Sequence, residues 1–268
     1  MSVDPELRAL DIEIPAQPEV LVKLSVLMAE DEIDLLAVSA LVEGDMALAA
    51  AVLKAVNSSL YGLRGRVQTV HQALTYLGMR EVSAIAFEMS LRAAFPSAAE
   101  LEPVWERAAK RGLMMGRIGQ MLGIDPWAAH SAGLFEECGK AVLYRHAPQH
   151  YPAMLRAAGS DSELCDLETS AFGVSHDALG AALCESWGLA PAAVASVRHH
   201  VGLQASGTLP EGLQRRGVAG ISGIVHALMQ QPAELEARVE QIAPQAQIDA
   251  SAALRAARRV QEQLESAD

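Results

Sequence analysis

Apolar residues recur at helical spacing along nearly the whole chain, and no segment alternates between apolar and polar residues for more than about four positions. The composition agrees with this pattern, because 51% of the residues are hydrophobic and only 4% are aromatic. A core built from such a chain consists mainly of Leu, Ala, Val and Met. Leu, Ala and Met favour helices, whereas strands are enriched in β-branched and aromatic residues. The sequence therefore predicts an all-α protein.

Residues 95–103 are the best candidate for an internal boundary, because two prolines and a Ser/Ala stretch interrupt the helical pattern there. A chain of 268 residues has room for one large domain or two small ones. The sequence predicts two helical lobes, which are an N-terminal five-helix bundle at residues 12–95 and a second helical lobe at residues 103–268.

Start and stop signals mark several of the predicted helices. Pro18 opens the first helix, Asp34 fits the N-cap of the second, and Gly44 fits its C-terminal stop. Residues 203–214 contain two glycines and a proline and are predicted as a loop. The helices predicted after the boundary span approximately 103–122, 126–146, 148–159, 162–172, 175–187, 190–202, 214–230, 234–242 and 248–266.

The net charge of −12 is concentrated near the N-terminus, where residues 1–45 carry 11 acids and 2 bases. This acidic balance argues against nucleic acid, because phosphate backbones are bound by clustered Lys and Arg. Residues 1–45 are either a docking surface for a basic protein partner or a solvated helix face.

No apolar run reaches the ~18 residues that span a bilayer, and no signal peptide is evident, so we expect no membrane contact. The three cysteines lack C-x-x-C spacing and indicate reduced thiols and a cytoplasmic location.

A locally basic stretch runs from Lys54 to Arg117 and includes Arg107 and Arg111. It is either a modest anion-binding face or ordinary solvated charge, and we favour solvated charge. The chain contains no G-x-S-x-G, Walker A or G-x-G-x-x-G motif, so none of these enzyme signatures identifies an activity.

Two adjacent acids, Glu136 and Glu137, interrupt the otherwise apolar segment AGLFEECGKAV at residues 132–142. Burying a carboxylate is expensive unless it is paired, hydrogen-bonded or bound to a metal. Glu136 has the spacing for an ion pair with Lys140 one helical turn later. Glu137 then faces the core and is the acid that most needs an explanation.

Histidines are the second set of candidate site residues. Glu136 or Glu137 could combine with His176 and His199 as ligands of a metal ion held between helices. The alternative is that the histidines near a helix end are surface residues or partners of the helix dipole. His199 and His200 point about 100° apart on a helix, so at most one of them faces a given pocket.

The order of several motifs resembles the HDOD domain, a bacterial signalling relative of the HD-type phosphohydrolases. The resemblance covers approximately residues 12–230, and its most specific piece is the turn at Asn57 and Ser58 followed by Tyr61 and Gly62. The motifs that carry it are IPAQPEVLVKL, LVEGDMALAAAVLKAVNSSLYGL, VQTVHQALTYLGMREVSAIAF, VWERAAKRGLMMGRIG, AHSAGLFEECGKAVL and ETSAFGVSHDALGAALCESWGLAPAAVASVRHH.

The resemblance implies that a metal site has degenerated. HD hydrolases carry a His-Asp pair where this chain has Glu136 and Glu137. Their first metal-binding His corresponds to Arg107, and their last metal-binding Asp falls near Gly220. His176 and either His199 or His200 match positions where HD-type proteins often carry histidine. The positions that the resemblance associates with the former metal site are Arg107, Glu136, Glu137, His176, His199, His200 and Gly220.

We expect an ion pair to replace the metal, with Arg107 directed at Glu137 and with Glu136 or a histidine completing the hydrogen bonds. A guanidinium group repels a divalent ion and stays protonated at any relevant pH. Neither a metal nor another cofactor is therefore expected.

The resemblance implies a non-catalytic bacterial regulator, a pseudoenzyme that acts through contacts with a protein partner of two-component or cyclic-di-GMP signalling. Two alternatives remain open. The former active-site pocket could bind an anion or nucleotide as a sensor. A rearranged site of Glu137, His176, His199 and His200 could support a metal-dependent phosphohydrolase, although this requires a bound metal with an open position.

Overall fold

The computed structural model describes residues 12–30, 32, 34–58, 61 and 67–265. In this part of the chain every regular element is a helix, with fourteen α-helices and two short 3₁₀ segments. The predicted all-α class is confirmed. The chain divides into a small unit and a large unit. The small unit comprises Pro15–Pro96 and Gln261–Asp268, and the large unit comprises Met1–Ile14 and Ser97–Val260.

The small unit contains five helices, four of which begin at a side-chain cap or at a proline, while the fifth follows Gly78. Pro18 precedes the first helix, and the Asp34 carboxylate accepts hydrogen bonds from the backbone N–H groups of Leu36 and Ala37 at the start of the second. The helices are α1 (Glu19–Met28), α2 (Leu35–Glu43), α3 (Met46–Val56), α4 (Val70–Leu77) and α5 (Met79–Ala93). No single helix among the described residues is long and apolar enough to cross a membrane, although the bent pair α2 and α3 together reaches that length and composition.

Asn57 connects the end of α3 to the segment that leads into α4. Its Nδ2 donates to the carbonyl oxygens of Leu53 at 2.9 Å and Val67 at 2.7 Å, and its Oδ1 accepts from the Val67 N–H at 3.1 Å. The Tyr61 N–H donates to the Ser58 carbonyl at 3.3 Å. Gly62, the last residue of this predicted motif, lies outside the described residues.

Nine further helices follow, at positions close to those predicted from the periodicity. They are α6 (Glu102–Leu122), α7 (Pro126–His146), α8 (Tyr151–Ala157), α9 (Asp161–Phe172), α10 (His176–Ser186), α11 (Pro191–Ser206), α12 (Arg216–Gln230), α13 (Leu235–Ile242) and α14 (Ala250–Glu265). The predicted loop start at residue 203 is wrong, because α11 continues to Ser206 and ends at Gly207, whose φ of 68° suits a left-handed cap.

Two glycines let α7 approach its neighbours backbone to backbone. A Cβ on Gly133 would lie 2.8 Å from the Gly112 Cα on α6, and a Cβ on Gly139 would lie 1.8 Å from the carbonyl oxygen of His176. Any larger residue at either position would push helices apart. These close approaches bring the acids in the middle of α7 next to α6 and to the start of α10.

Candidate functional site

Four charged side chains are buried where α6 and α7 cross in the large unit. Glu136 is 0% exposed, Glu137 and Lys140 are each 1% exposed, and Arg111 is 2% exposed. A buried charge without a partner is strongly destabilising. Each of these four groups therefore needs opposite charge and hydrogen bonds close by.

Two helices supply the partners of Glu136. Its Oε2 accepts a hydrogen bond from Nη1 of Arg111 on α6 at 2.8 Å, and its Oε1 accepts one from Oγ of Ser196 on α11 at 3.2 Å. Burial acts to lower the pKa of Arg111, but the nearby carboxylates outweigh burial and raise it. The guanidinium group is therefore charged, and both oxygens of Glu136 are engaged.

Three cations surround Glu137. Its Oε2 accepts hydrogen bonds from Nζ of Lys140 at 2.9 Å and from Nη2 of Arg107 at 3.2 Å. Nη2 of Arg111 lies 3.8 Å from its Oε1. Burial alone would raise the pKa of Glu137, but these cations outweigh burial and hold it at about 2. Glu137 is therefore a carboxylate at every physiological pH.

We call Arg107, Arg111, Glu136 and Glu137 the arginine half of the site. The structure places Arg107 against Glu137, but the Arg107 side chain is 38% exposed while that of Arg111 is 2% exposed. The fully buried guanidinium group thus comes from Arg111, one helical turn further along α6. The predicted ion pair between Glu136 and Lys140 is wrong. Glu136 forms its ion pair with Arg111, and Lys140 bonds to Glu137 instead.

His176 begins α10 and is completely buried. Its backbone N–H and its ring Nδ1 each lie 2.7 Å from Oε2 of Glu168 on α9. The other oxygen of Glu168 accepts a hydrogen bond from the Tyr151 hydroxyl at 2.5 Å. The carboxylate of Glu168 fixes the orientation of the ring, and the ring Nε2 has no hydrogen-bond partner in the part of the chain that the structure describes.

His200 and Asp161 lie beside His176. The rings of His200 and His176 are 5.7 Å apart, and Nδ1 of His200 lies 2.6 Å from the Val197 carbonyl oxygen. Burial lowers the pKa of His200, which favours the neutral ring. Asp161, the first residue of α9, accepts a hydrogen bond from Nζ of Lys140 at 2.7 Å. Burial acts to raise the pKa of Asp161, but Lys140 outweighs it and keeps the carboxyl ionised.

We call Asp161, Glu168, His176 and His200 the histidine half of the site. One side-chain ligand atom from each of Asp161, His176 and His200 lies within 4.8 Å of the others. Lys140 joins the two halves, because its ammonium group bonds to both Glu137 and Asp161.

The remaining predicted site residues lie elsewhere. His199 is half-buried and lines a separate cavity with Pro191 and Leu213, so the predicted ligand set that includes it is wrong. His200 is the member of the pair that faces inward. Adjacent helical residues point about 100° apart, so His199 faces a different direction. Gly220 on α12 packs closely against Ala246.

A cavity of about 400 Å³ opens beside the arginine half. Its lining includes His226 of α12, whose pKa is lowered to about 4 by burial and by the charge of Arg111. His226 is therefore neutral near pH 7. The charged residues that line the cavity are Arg107, Arg111, Glu137, Lys140 and Asp161.

Sequence reasoning did not assign Arg111, Asp161 or Glu168 to a site. Helix phase could have identified Arg111, because it shares the buried face of α6 with Ala108 and Met115, three residues before it and four after it. No comparable signal marks Asp161 and Glu168, since both lie on a helix whose surface is largely polar.

A model of the HDOD domain family matches residues 14–202. The chain belongs to the HDOD family. The match covers all of α1–α10 and most of α11, and it therefore includes both halves of the site. The family resemblance seen in the sequence motifs is confirmed.

Solved structures with the HDOD fold are similar to this chain. An HDOD domain protein of unknown function from Geobacter sulfurreducens is 16% identical, with a TM-score of 0.73 over 98% of this chain and 94% of its own. A protein from Marinobacter aquaeolei VT8, provisionally described as a signal transduction protein, is 20% identical, with a TM-score of 0.71 over 100% of this chain and 61% of its own. At these identities the likeness establishes the fold.

Among curated proteins, an uncharacterised protein of Treponema pallidum is 25% identical over 196 residues. The aligned region is 70% of this chain and 37% of that relative, so the chain spans little more than a third of the relative's length.

Proposed function

We propose that this protein is a non-catalytic HDOD regulatory module that acts through protein–protein contacts. The observation that carries the proposal is the fully buried ion pair between Arg111 and Glu136, which together with Arg107, Lys140 and Glu137 forms a closed network of salt bridges. These acids stand where the resemblance to HD hydrolases implies a metal-binding His-Asp pair.

The residues of the arginine half do not fit a divalent metal ion. Both oxygens of Glu136 already accept hydrogen bonds, and Oε2 of Glu137 accepts two. An ion bound to these acids would lie among three permanent cations. A metal hydrolase needs a bound ion with an open coordination position, which this network does not offer.

An anion sensor is a second candidate, and one observation supports it. Arg107 is partly exposed and lines the 400 Å³ cavity, so it can reach a ligand there. The charge balance counts against this function. The buried cluster contains three permanent cations, Arg107, Arg111 and Lys140, and four carboxylates, those of Glu136, Glu137, Asp161 and Glu168, so it has no excess of positive charge to attract an anion.

The proposed partner is a regulatory protein of two-component or cyclic-di-GMP signalling. The family resemblance supports this class of partner, and so does the description of the Marinobacter relative as a signal transduction protein. The acidic residues 1–45 are the surface that we propose for a basic partner.

The catalytic part of the proposal is tested by incubating the purified protein with phosphomonoesters and phosphodiesters in the presence of Mg²⁺, Mn²⁺ or Zn²⁺. We expect no metal-stimulated hydrolysis. Glu137→Gln serves as the control for contaminating enzymes, because a contaminant is unaffected by this substitution. Hydrolysis that depends on metal and falls in Glu137→Gln would show that the protein is an enzyme.

The interaction part is tested by affinity capture from bacterial lysate with the full chain as bait. We expect a signalling protein to be enriched. A variant with Glu19→Lys and Glu43→Lys, which reverses two charges of the acidic surface, should capture less of it. Equal capture by both baits would place the contact elsewhere on the protein, and the absence of a partner would contradict the proposal.

A further inference from the structure

Helix α1 of the small unit carries apolar residues on two sides. Leu21, Leu24 and Met28 are buried, so one side of the helix packs into the core of the unit. Val22 and Val26 lie on the other side, one helical turn apart, and are 44% and 61% exposed. We call these two residues the valine row. Single exposed apolar residues are ordinary, but neighbouring ones are typical of an interaction site.

The small unit has more uncovered apolar surface than its size accounts for. In the described part of the chain seven large hydrophobic side chains are exposed, and five of them belong to this unit, which is the smaller of the two. An apolar surface that needs a cover therefore lies on the small unit. The five residues are Val22, Val26, Leu36, Met46 and Tyr76.

Acidic side chains flank the valine row. Glu19 and Glu30 lie at its two ends, and the exposed Glu32 and Asp34 extend the negative charge beyond α1. Lys23 is the basic residue on this side of the helix, and it already forms an ion pair with Glu19 at 2.6 Å. A surface that covers the valine row must therefore combine apolar contacts with positive charge.

Helix α11 of the large unit presents a ridge that borders two cavities. Pro191, Ala195 and His199 follow one another at every fourth position and form the ridge. All three line a cavity of about 460 Å³, which residues before α12 complete, and a cavity of about 390 Å³, which residues after α10 complete. A groove therefore runs along each side of the ridge. We call the residues that line the two cavities the α11 surface.

The α11 surface has the composition that the valine row requires. Val194 and Leu213 are half-buried and provide apolar walls. Arg198 and Arg215 provide positive charge, and Glu185 is the one acid among the residues that line the two cavities. The lining thus carries more positive than negative charge, whereas the surroundings of the valine row are acidic.

The two surfaces also agree in shape. Helices pack by inserting a row of side chains four positions apart into the groove beside a similar row on another helix. Val22 and Val26 form a row of this kind, and the ridge on α11 has the same spacing. Ala195 lies at the centre of the ridge, and its small side chain lets a second helix approach closely.

We propose that the valine row of α1 docks on the α11 surface of a second copy of this chain. Each copy carries both surfaces, so a two-fold dimer forms the contact twice and closes. The acids beside the valine row then face the positive charges of Arg198 and Arg215. This dimer does not depend on the proposed function. A regulatory partner that binds residues 1–45 would compete with the second copy.

Sedimentation velocity on the purified full chain measures the association. We expect a change from monomer to dimer as the concentration rises from about 1 to about 300 μM, because contacts between helix pairs on the protein surface belong to the weak class of interfaces. Raising NaCl from about 0.05 to about 0.5 M should weaken the dimer several-fold, since part of the attraction is between exposed charges.

Substitutions identify the two surfaces. Val26→Ser removes the more exposed residue of the valine row, and Ala195→Glu blocks the ridge with a large acidic side chain. Each should weaken association at least about 10-fold. Met46→Ser is the matched control, because Met46 is 87% exposed in the same unit but lies on α3. It should dimerise as the wild type does. Circular dichroism confirms that each variant is folded.

A mixture of the two impaired variants tests whether the surfaces face each other. Val26→Ser keeps an intact α11 surface, and Ala195→Glu keeps an intact valine row. A mixed pair therefore regains one of the two contacts, which neither variant can form with itself. We expect the equimolar mixture to form more dimer than either variant alone at the same total concentration.

Each outcome decides the proposal. A wild type that stays monomeric over the whole concentration range overturns it and leaves both surfaces for other partner proteins. A dimer that persists in Val26→Ser and Ala195→Glu forms through another face and also overturns it. If each variant is impaired but the mixture forms no additional dimer, the two surfaces do not contact each other and the proposal fails. Loss in both variants with recovery in the mixture supports it.

Discussion

The two halves of the buried site solve the same electrostatic problem in different ways. In the arginine half, Glu136 bonds to Arg111, and Glu137 bonds to Arg107 and Lys140. In the histidine half, the side-chain partners of Glu168 among the described residues are His176 and the Tyr151 hydroxyl. Arg and Lys side chains neutralise the acids of the arginine half, whereas the nitrogen partner of Glu168 is the ring of His176.

The difference follows from which helix faces each acid. Helix α6 places Arg107 and Arg111 one turn apart on the side that meets α7, so both acids of α7 receive a guanidinium partner. Helices α9, α10 and α11 instead bring together two histidines, two acids and the thiol of Cys165. Lys140 is the sole cation that bonds to both halves in the described part of the chain.

Removing Arg111 should have the largest effect, because the arginine half relies on it. Arg111→Ala leaves Glu136 buried with only Ser196 as a hydrogen-bond partner. We expect a loss of about 3–5 kcal/mol in the free energy of unfolding. Urea denaturation followed by circular dichroism measures this value.

A double variant distinguishes the loss of an ion-pair partner from the loss of side-chain volume. Arg111→Met combined with Glu136→Met removes both charges and keeps similar volumes, so it should be much less destabilised than Arg111→Ala. Losses in the double variant that equal the sum of the two single variants would mean that the pair is not coupled.

Gly139→Ala tests how far the histidine half depends on the close approach of α7 and α10. The new Cβ would lie 1.8 Å from the backbone carbonyl oxygen of His176, and backbone atoms cannot rotate aside. We expect a loss of about 3 kcal/mol in the free energy of unfolding, because His176 must move. Urea denaturation followed by circular dichroism measures this loss.

Gly202→Ala is the matched control for this change. Gly202 also lies inside a helix, but a Cβ there has no atom within 4 Å. Alanine should therefore stabilise α11 by about 0.5–1 kcal/mol. If both alanine variants lost stability equally, helix packing at Gly139 could not be the reason.

The helices could be predicted because their signals are local. Apolar spacing, the Asp34 cap and the glycines at helix ends act within a few residues of the chain, so the positions of α6–α14 follow from periodicity. The length of α11 was underestimated because residues 203–206 are compatible with both loop and helix, and Gly207 decides where the helix ends.

The site was only partly predictable, because its pairs form between helices. Both Arg107 and Arg111 lie on the face of α6 that meets α7, and burial depth decides which becomes the inner partner. The choice of His200 over His199 could have been made from phase, since Ala193, Val197 and His200 share the buried face of α11. Packing of α9 against other helices brings Asp161 and Glu168 inward. No local sequence pattern predicts this tertiary contact.

Lowering the pH should destabilise the folded protein, because Glu137 in the arginine half becomes protonated. Folding lowers the pKa of Glu137 from 4.5 to about 2, so its contribution to stability is complete above pH 4.5 and is lost as the pH falls from 4.5 to 2. Each pH unit between the two values corresponds to about 1.4 kcal/mol, which gives a loss of about 3 kcal/mol.

Urea denaturation at pH 6, 4 and 2.5 measures this loss, and Glu137→Gln provides the comparison. The amide has no proton to gain, so the stability of this variant should fall less steeply over the same range. Parallel curves for the two proteins would mean that other carboxyl groups cause the acid sensitivity.

Arg107→Ala should have the smallest effect, although Arg107 contacts the same acid as two buried cations. Its side chain is 38% exposed and its bond to Glu137 is 3.2 Å long, so water compensates for much of the lost interaction. Glu137 also keeps Lys140 at 2.9 Å and Arg111 at 3.8 Å. We expect a loss below about 1 kcal/mol in urea denaturation. A loss as large as that of Arg111→Ala would instead show that Arg107 is the principal partner of Glu137, and that depth of burial does not distinguish the two arginines.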